Sequence, residues 1–326
     1  MTETNQTKPI FLLSLPRSGS TLLQRILTAS SEIDSASEPW ILLPYIYTMK
    51  KSGMATEFGH SNAVEAIKDF YSSFPNGEAD YREAIRDFVL DLYGKSKGEG
   101  KYFLDKTPRY SVISKEIVKM FPDGKFIILW RSPLSIISSA LITWKNGKWG
   151  VSHIEVDLYD GLHCMASVCR EHQDKVFSLK YEDLVLEPEK YLRGVFEYLG
   201  LEWDVEVLSG FNDVIFDGMG DQNGVREYDK ISAGSSAKWK EVLANPLRKW
   251  WCRRYLRSLG EDDMRLMGYD LDGLIKELNE IPFSFKYLFG DMIRMPYGKL
   301  NSIFNISLFR ERRSQKKRGL SSHALH

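Results

Sequence analysis

Residues 10–27, "IFLLSLPRSGSTLLQRIL", constrain the fold more than any other stretch. An apolar run ends in a turn that holds Gly19, and apolar residues at helical spacing follow it. A strand, a tight loop and a helix present backbone N–H groups and a helix N-terminus to an anion. Arg17 adds a planar fork that fits a tetrahedral oxyanion, and Ser20 and Thr21 add hydroxyls. The triphosphate-binding pattern G-x-x-x-x-G-K-[ST] is not met, because its second glycine and its lysine are missing. The loop therefore suits a single terminal phosphate better than a triphosphate.

Similar alternations of apolar runs and amphipathic segments continue along the chain. Strands are expected at Ile10–Leu15, Tyr102–Leu104, Phe126–Trp130 and Val176–Lys180. Helices are expected at Ser20–Ala29, Glu65–Phe74, Tyr81–Tyr93, Val112–Phe121, Leu134–Leu141, Glu155–Gln173 and Tyr191–Leu199. Residues 30–60 read as a loop-rich passage. Strands separated by helices predict an α/β fold, a central parallel sheet flanked by helices in three layers. Ligands of such sheets bind beyond the carboxyl ends of the strands. "LPRSGST", "LDKTPRY" and "LWRSPLSIISSA" all begin there, so one sheet edge is expected to gather them into a site.

The third cluster sets Ser139 eight residues after Arg131. With a helix starting near Pro133, Ser139 lies roughly 9 Å along its axis. Arg131 and Ser139 could then clamp a second anion. A nucleotide with separate 5′ and 3′ phosphates would satisfy both clusters.

Several classes are disfavoured by composition. The 326 residues carry 44 basic and 44 acidic side chains, so global charge gives no argument for a nucleic-acid partner. Three cysteines without paired spacing argue against a disulfide framework or a zinc site, and no metal cluster is visible. The polar start "MTETNQTKP" has no signal-peptide core, and no run reaches the ~20 apolar residues of a membrane span. A cytoplasmic protein is expected.

"LPRSGSTLLQRIL" resembles the 5′-phosphosulfate loop of sulfotransferases that use 3′-phosphoadenosine 5′-phosphosulfate (PAPS), and "WRSPLSIISSA" resembles their 3′-phosphate motif. "LDKTPRY" and "LKYEDLVLEPEKYLRGVFEYLGL" are also similar to stretches of that family, especially its bacterial, tyrosylprotein and carbohydrate branches. The resemblance runs from about residue 10 to 200 and implies a P-loop-like fold with a PAPS co-substrate and no metal. It implies the 5′ phosphosulfate on Arg17, Ser18, Gly19, Ser20 and Thr21, and the 3′ phosphate on Arg131 and Ser139. It brings Tyr181 near the nucleotide and gives Lys106, with Arg17, the charge that builds on the leaving oxygen. The small-molecule branch has its histidine base two positions after that lysine, where this chain has Pro108. The tyrosylprotein branch uses a glutamate after the first helix, and Glu38 matches it. Enclosure by Pro39 and Trp40 would make Glu38 a better base. His153 is the fallback base. A mobile loop at 226–243 is implied to close over the nucleotide, with Lys230, Ser232 and Ser235 as contacts.

The competing readings are a nucleotide or small-metabolite kinase and a non-catalytic nucleotide sensor. No acid follows "FIILW", where a kinase would hold magnesium. Two tryptophans and two lysines in "ITWKNGKWG" suit a sugar platform or a folded loop end, which favours a carbohydrate or glycolipid acceptor. A sulfotransferase domain is expected over 1–281 and a helical, apolar then basic extension over 282–326. Pro296 and Gly298 are expected to split that extension into two short pieces. Its basic end, Arg310, Arg312, Arg313, Lys316, Lys317 and Arg318 against the single acid Glu311, could touch the inner membrane leaflet.

Overall fold

A computed structural model describes residues 7–96, 98–216, 218 and 238–304. Five strands form one parallel sheet: β1 (Lys8–Ser14), β2 (Ile33–Ser35), β3 (Tyr102–Asp105), β4 (Lys125–Trp130) and β5 (Val176–Lys180), in the spatial order β2-β3-β1-β4-β5. The register sets Phe11 opposite Asp105 on one side and Phe126 on the other. β1 is central and its apolar run is buried on both faces, which is why it reads as continuous rather than alternating.

Alternate side chains feed two separate cores. Phe11, Leu13, Phe103, Phe126 and Ile128 point to one face, covered by α3 (Glu78–Ser96), α4 (Pro133–Lys145) and α6 (Pro246–Leu259) among others. Ile10, Leu12, Leu104, Ile127 and Leu129 point to the other, covered by α1 (Ser20–Thr28) and α5 (Pro188–Leu199). This is the expected three-layer arrangement. Here α2 (Leu42–Tyr47) lies between β2 and α3 in the chain, and α7 (Leu288–Phe304) closes the described part.

Four expectations are corrected. Residues 30–60 hold the edge strand β2 and the helix α2 rather than loop alone; β2 is a strand because its backbone pairs with β3, not because its residues are apolar. The helix expected over 112–121 begins as a 3-10 turn, Pro108–Ile113, before Ser114–Met120 continues as α-helix. The long helix expected over 155–173 forms over 155–171, but with a π turn, Asp157–Gly161, set into its first half, and it ends at Glu171. The extension is not split at Pro296, since α7 runs through it as one helix with Pro296 on its exposed side. Among the described residues no helix is long and apolar enough to cross a membrane.

Candidate active site

The loop between β1 and α1 is wound tightly: Ser18 N donates to Leu15 O at 3.2 Å, and Gly19 O accepts from Leu22 N at 3.0 Å and Leu23 N at 3.2 Å. Gly19 has φ 89°, and a Cβ there would stand 2.4 Å from the Tyr181 ring. Only glycine meets both conditions. Arg17 has φ 69°, an unfavourable backbone for a residue with a Cβ that is held at functional loops. The Ser18 hydroxyl is buried and has no hydrogen-bond partner among the described residues, and neither has that of Ser138. Ser20 and Thr21 sit buried in the first turn of α1.

The first and third clusters interlock. Arg131 Nη1 donates to Arg17 O at 2.7 Å, and Arg17 Nε donates to Ser139 Oγ at 3.2 Å. Arg131 also lies 4.4 Å over the Tyr181 ring. Tyr181 is buried in the core under α1, so it forms the floor of the loop, with Gly19 above it and the Arg131 guanidinium on its face. Glu182 accepts from Ser132 N at 3.0 Å and from the Tyr269 hydroxyl, which fixes the turn into α4.

The second cluster completes the site. Lys106 is 1% exposed. Its Nζ lies 2.8 Å from Glu38 Oε1 and 3.5 Å from Thr21 Oγ1. Glu38 Oε2 also accepts from Trp40 Nε1 at 3.2 Å. Glu38 is thus ion-paired with Lys106, not merely enclosed by Pro39 and Trp40 as the sequence suggested. Two residues missed in the sequence hold this arrangement. Gln24 Nε2 ties down the backbone before Glu38 through Ala36 O at 2.7 Å and Ser37 O at 3.3 Å. Asp105 is fully buried and accepts from the hydroxyls of Tyr93, Thr107 (3.0 Å) and Tyr110 (3.1 Å). Those last two hydroxyls accept from Trp40 N at 3.3 Å and Leu42 N at 3.0 Å, holding Trp40 at φ 57°. Burial raises the Asp105 carboxyl to about 6 despite these donors. An acid beside Lys106 at a strand end was a usable signal for Asp105; Gln24 showed only as a polar residue inside an apolar helix face.

At the mouth, Trp144 is exposed, with Arg17 5.8 Å over its ring and His153 edge-on at 4.8 Å. Desolvation, and then the charge of Lys145, lowers the His153 pKa. Arg109 pairs with buried Asp157 at 3.0 Å. Of the two tryptophans in "ITWKNGKWG", Trp149 is buried against Trp251, so Trp144 alone offers a platform there. Lys238–Val242 forms a short helix with Trp239 buried. Lys230, Ser232 and Ser235, and the basic run 310–318, lie outside the described residues.

Residues 9–205 match the model of the sulfotransferase family. The protein-tyrosine sulfotransferase 1 of Danio rerio is 26% identical over 254 residues, covering 74% of this chain and 65% of its own length. Nodulation protein NoeE of Sinorhizobium fredii is 28% identical over 179 residues, covering 54% of this chain and 40% of its own. The chain thus spans less than two thirds of the length of these relatives. Among solved structures, the sulfotransferase domain from the curacin biosynthetic pathway is similar with a TM-score of 0.52 at 20% identity, over 81% of this chain and 98% of that one. That likeness shows the fold.

Proposed function

The chain belongs to the sulfotransferase family, and we propose that it moves a sulfuryl group from PAPS to a hydroxyl or amine of a carbohydrate or glycolipid acceptor, with Glu38 as base. The observation that carries this reading is the contact of Lys106 with both Glu38 and Thr21. A buried cation, a carboxylate and the hydroxyl of an anion loop share one point. The loop also fits a sulfated phosphate: its glycine turn leaves no room for a side chain, and the buried hydroxyls of Ser18 and Ser138 lack partners within the described chain.

PAPS supplies a sulfuryl group already activated on its 5′ phosphate. In the proposed in-line transfer the acceptor oxygen bonds to sulfur and passes its proton to Glu38. The sulfur–oxygen bond to the phosphate breaks, and its electron pair stays on the phosphate oxygen. Charge grows on that oxygen, where Lys106 and Arg17 stabilise the transition state more than the ground state. Nucleotide phosphate must therefore draw Lys106 off Glu38, which frees the carboxylate as base at the moment the donor is bound. Arg131 and Ser139 are assigned to the 3′ phosphate, with Arg131 held on Tyr181. Exposed Trp40 and Trp144 support a ring-bearing acceptor.

Two measurements test the reading. 3′,5′-Adenosine bisphosphate, the expected product, should raise the melting temperature, and Arg131→Ala should weaken its binding by about ten- to a hundredfold. Labelled PAPS offered with glycans, glycolipids, phenols and peptides should label a sugar acceptor, and Glu38→Gln should cut turnover by about 10²–10⁴-fold with no loss of nucleotide affinity. Normal turnover in Glu38→Gln with loss in His153→Ala would move the base to His153.

A further inference from the structure

α7 is the most exposed apolar surface of the described chain. Phe289 is 82% exposed and Ile293 75%, and Met292, Tyr297 and Leu300 are exposed beside them. These positions follow helical spacing, so they form one continuous stripe. Phe283 and Phe285, also exposed, extend it in the stretch before the helix. Patches of this kind mark an interaction surface. The opposite side of α7 is fastened to the body: Asp291 is fully buried and takes Arg248 Nε at 2.6 Å and Nη2 at 3.2 Å. The stripe therefore faces outward because its helix is anchored by the other side.

We propose that this stripe docks on an anionic membrane surface. Lys286 and Arg294 flank it, each beside a carboxylate (Glu241 and Asp291), so the surplus positive charge comes from the sequence after the helix, six basic residues against one acid at 310–318. With 44 basic and 44 acidic residues in total, the rest of the chain is net acidic. Rings and aliphatics at the acyl boundary with cations on anionic headgroups are what a surface-lying helix requires. A second copy meeting the same stripe would bring identical cations together, because a two-fold contact pairs a patch with itself. The membrane escapes that repulsion and answers the charge.

The stem of this helix also reaches the acceptor side. Arg248 Nη2 donates to Gly147 O at 2.9 Å, and the Tyr287 hydroxyl to Asn146 O at 3.5 Å. A cavity of about 360 Å³ opens there, lined by Ile142, Asn146, Lys238 and Tyr287 among others. Docking would thus hold the body, and with it the loop after Trp144, at the lipid surface through Arg248 and Tyr287, which favours a lipid-linked acceptor. This last consequence rests on the sulfuryl-transfer reading, whereas the docking itself does not.

Flotation of the full chain with vesicles, without nucleotide or acceptor, tests the docking independently of any transferase activity. Wild type should float with phosphatidylcholine–phosphatidylglycerol vesicles and not with phosphatidylcholine alone. Phe289→Ser with Ile293→Ser should lower that binding at least tenfold at an unchanged melting temperature. Arg312→Glu with Lys316→Glu should abolish the preference for anionic lipid. Equal flotation of the serine variant, or equal binding to both lipids, would overturn the proposal. So would a dimer seen by light scattering that the serine variant dissolves while wild type fails to float, since the occupant would then be a second copy.

Discussion

Lys106 brings a full charge into a position that is 2% exposed at the side chain, and Glu38, 11% exposed, answers it at 2.8 Å. Removing one partner of a buried pair leaves the other charge uncompensated and costs about 3–5 kcal/mol, whereas removing both is close to neutral. Glu38→Gln and Lys106→Met should therefore each lower stability in urea unfolding, and the double variant should recover most of the loss. Turnover should behave differently. Residues that act as a unit are non-additive, so either single change should cost about as much activity as both. A double variant whose stability loss equals the sum of the singles would show that the pair is not coupled, and the opening of the pair by nucleotide would lose its basis.

At the scale of elements, Asp105 joins β3 to α3 through Tyr93 and to the chain before α2 through Thr107 and Tyr110. Its pKa is raised from 3.8 to about 6 by burial. The folded state thus keeps a proton that the unfolded chain has released between these values, so stability falls as pH rises from about 4 to about 6 and is level above. At 1.36 kcal/mol per unit the fall from this group is about 3 kcal/mol. Asp157, raised to about 6 mainly by burial, adds a slope of the same sign. Asp105→Asn should remove the first share and leave the second, seen as a shallower pH dependence of the urea midpoint. It should also loosen Glu38 and lower kcat about tenfold or more with nucleotide affinity unchanged. An unaltered pH dependence would refute the assignment. None of this network was legible in the sequence beyond an acid beside Lys106, because its partners meet only once the sheet is built. The same holds for Arg17 and Ser139, 122 residues apart and in contact. β1 and β4 could be read because both faces of each are buried, which leaves an unbroken apolar run. β2, with the sequence IDS, carries no such pattern.

On the scale of the whole molecule, the extension and the body share one buried charge. Arg248 is fully buried and donates to Asp291, to Val242 O at 2.9 Å and to Gly147 O at 2.9 Å. Asn245 Nδ2 adds a further donor to Asp291 at 3.2 Å. A chain that stops at Ile281, the expected domain boundary, keeps Arg248 and loses the carboxylate that neutralises it. That should cost about 3–5 kcal/mol, or on the order of 10 °C in melting temperature for a domain of this size. Arg248→Met in the shortened chain should restore most of the loss, since an apolar side chain of similar volume needs no partner there. In the full chain the same substitution should destabilise, because fully buried Asp291 then keeps only Asn245 Nδ2 and the half-buried Arg294 at 3.8 Å. The sign of Arg248→Met thus reverses with the presence of α7. Loss of the Tyr287 hydroxyl from Asn146 O should further raise the KM for acceptor in the shortened chain while adenosine bisphosphate binding holds, because Arg131 and the loop after β1 lie on the part of the chain that is kept. A shortened chain as stable as the full one would mean that the extension is an independent appendage, and the rigid link between the apolar stripe and the acceptor loop would fall with it.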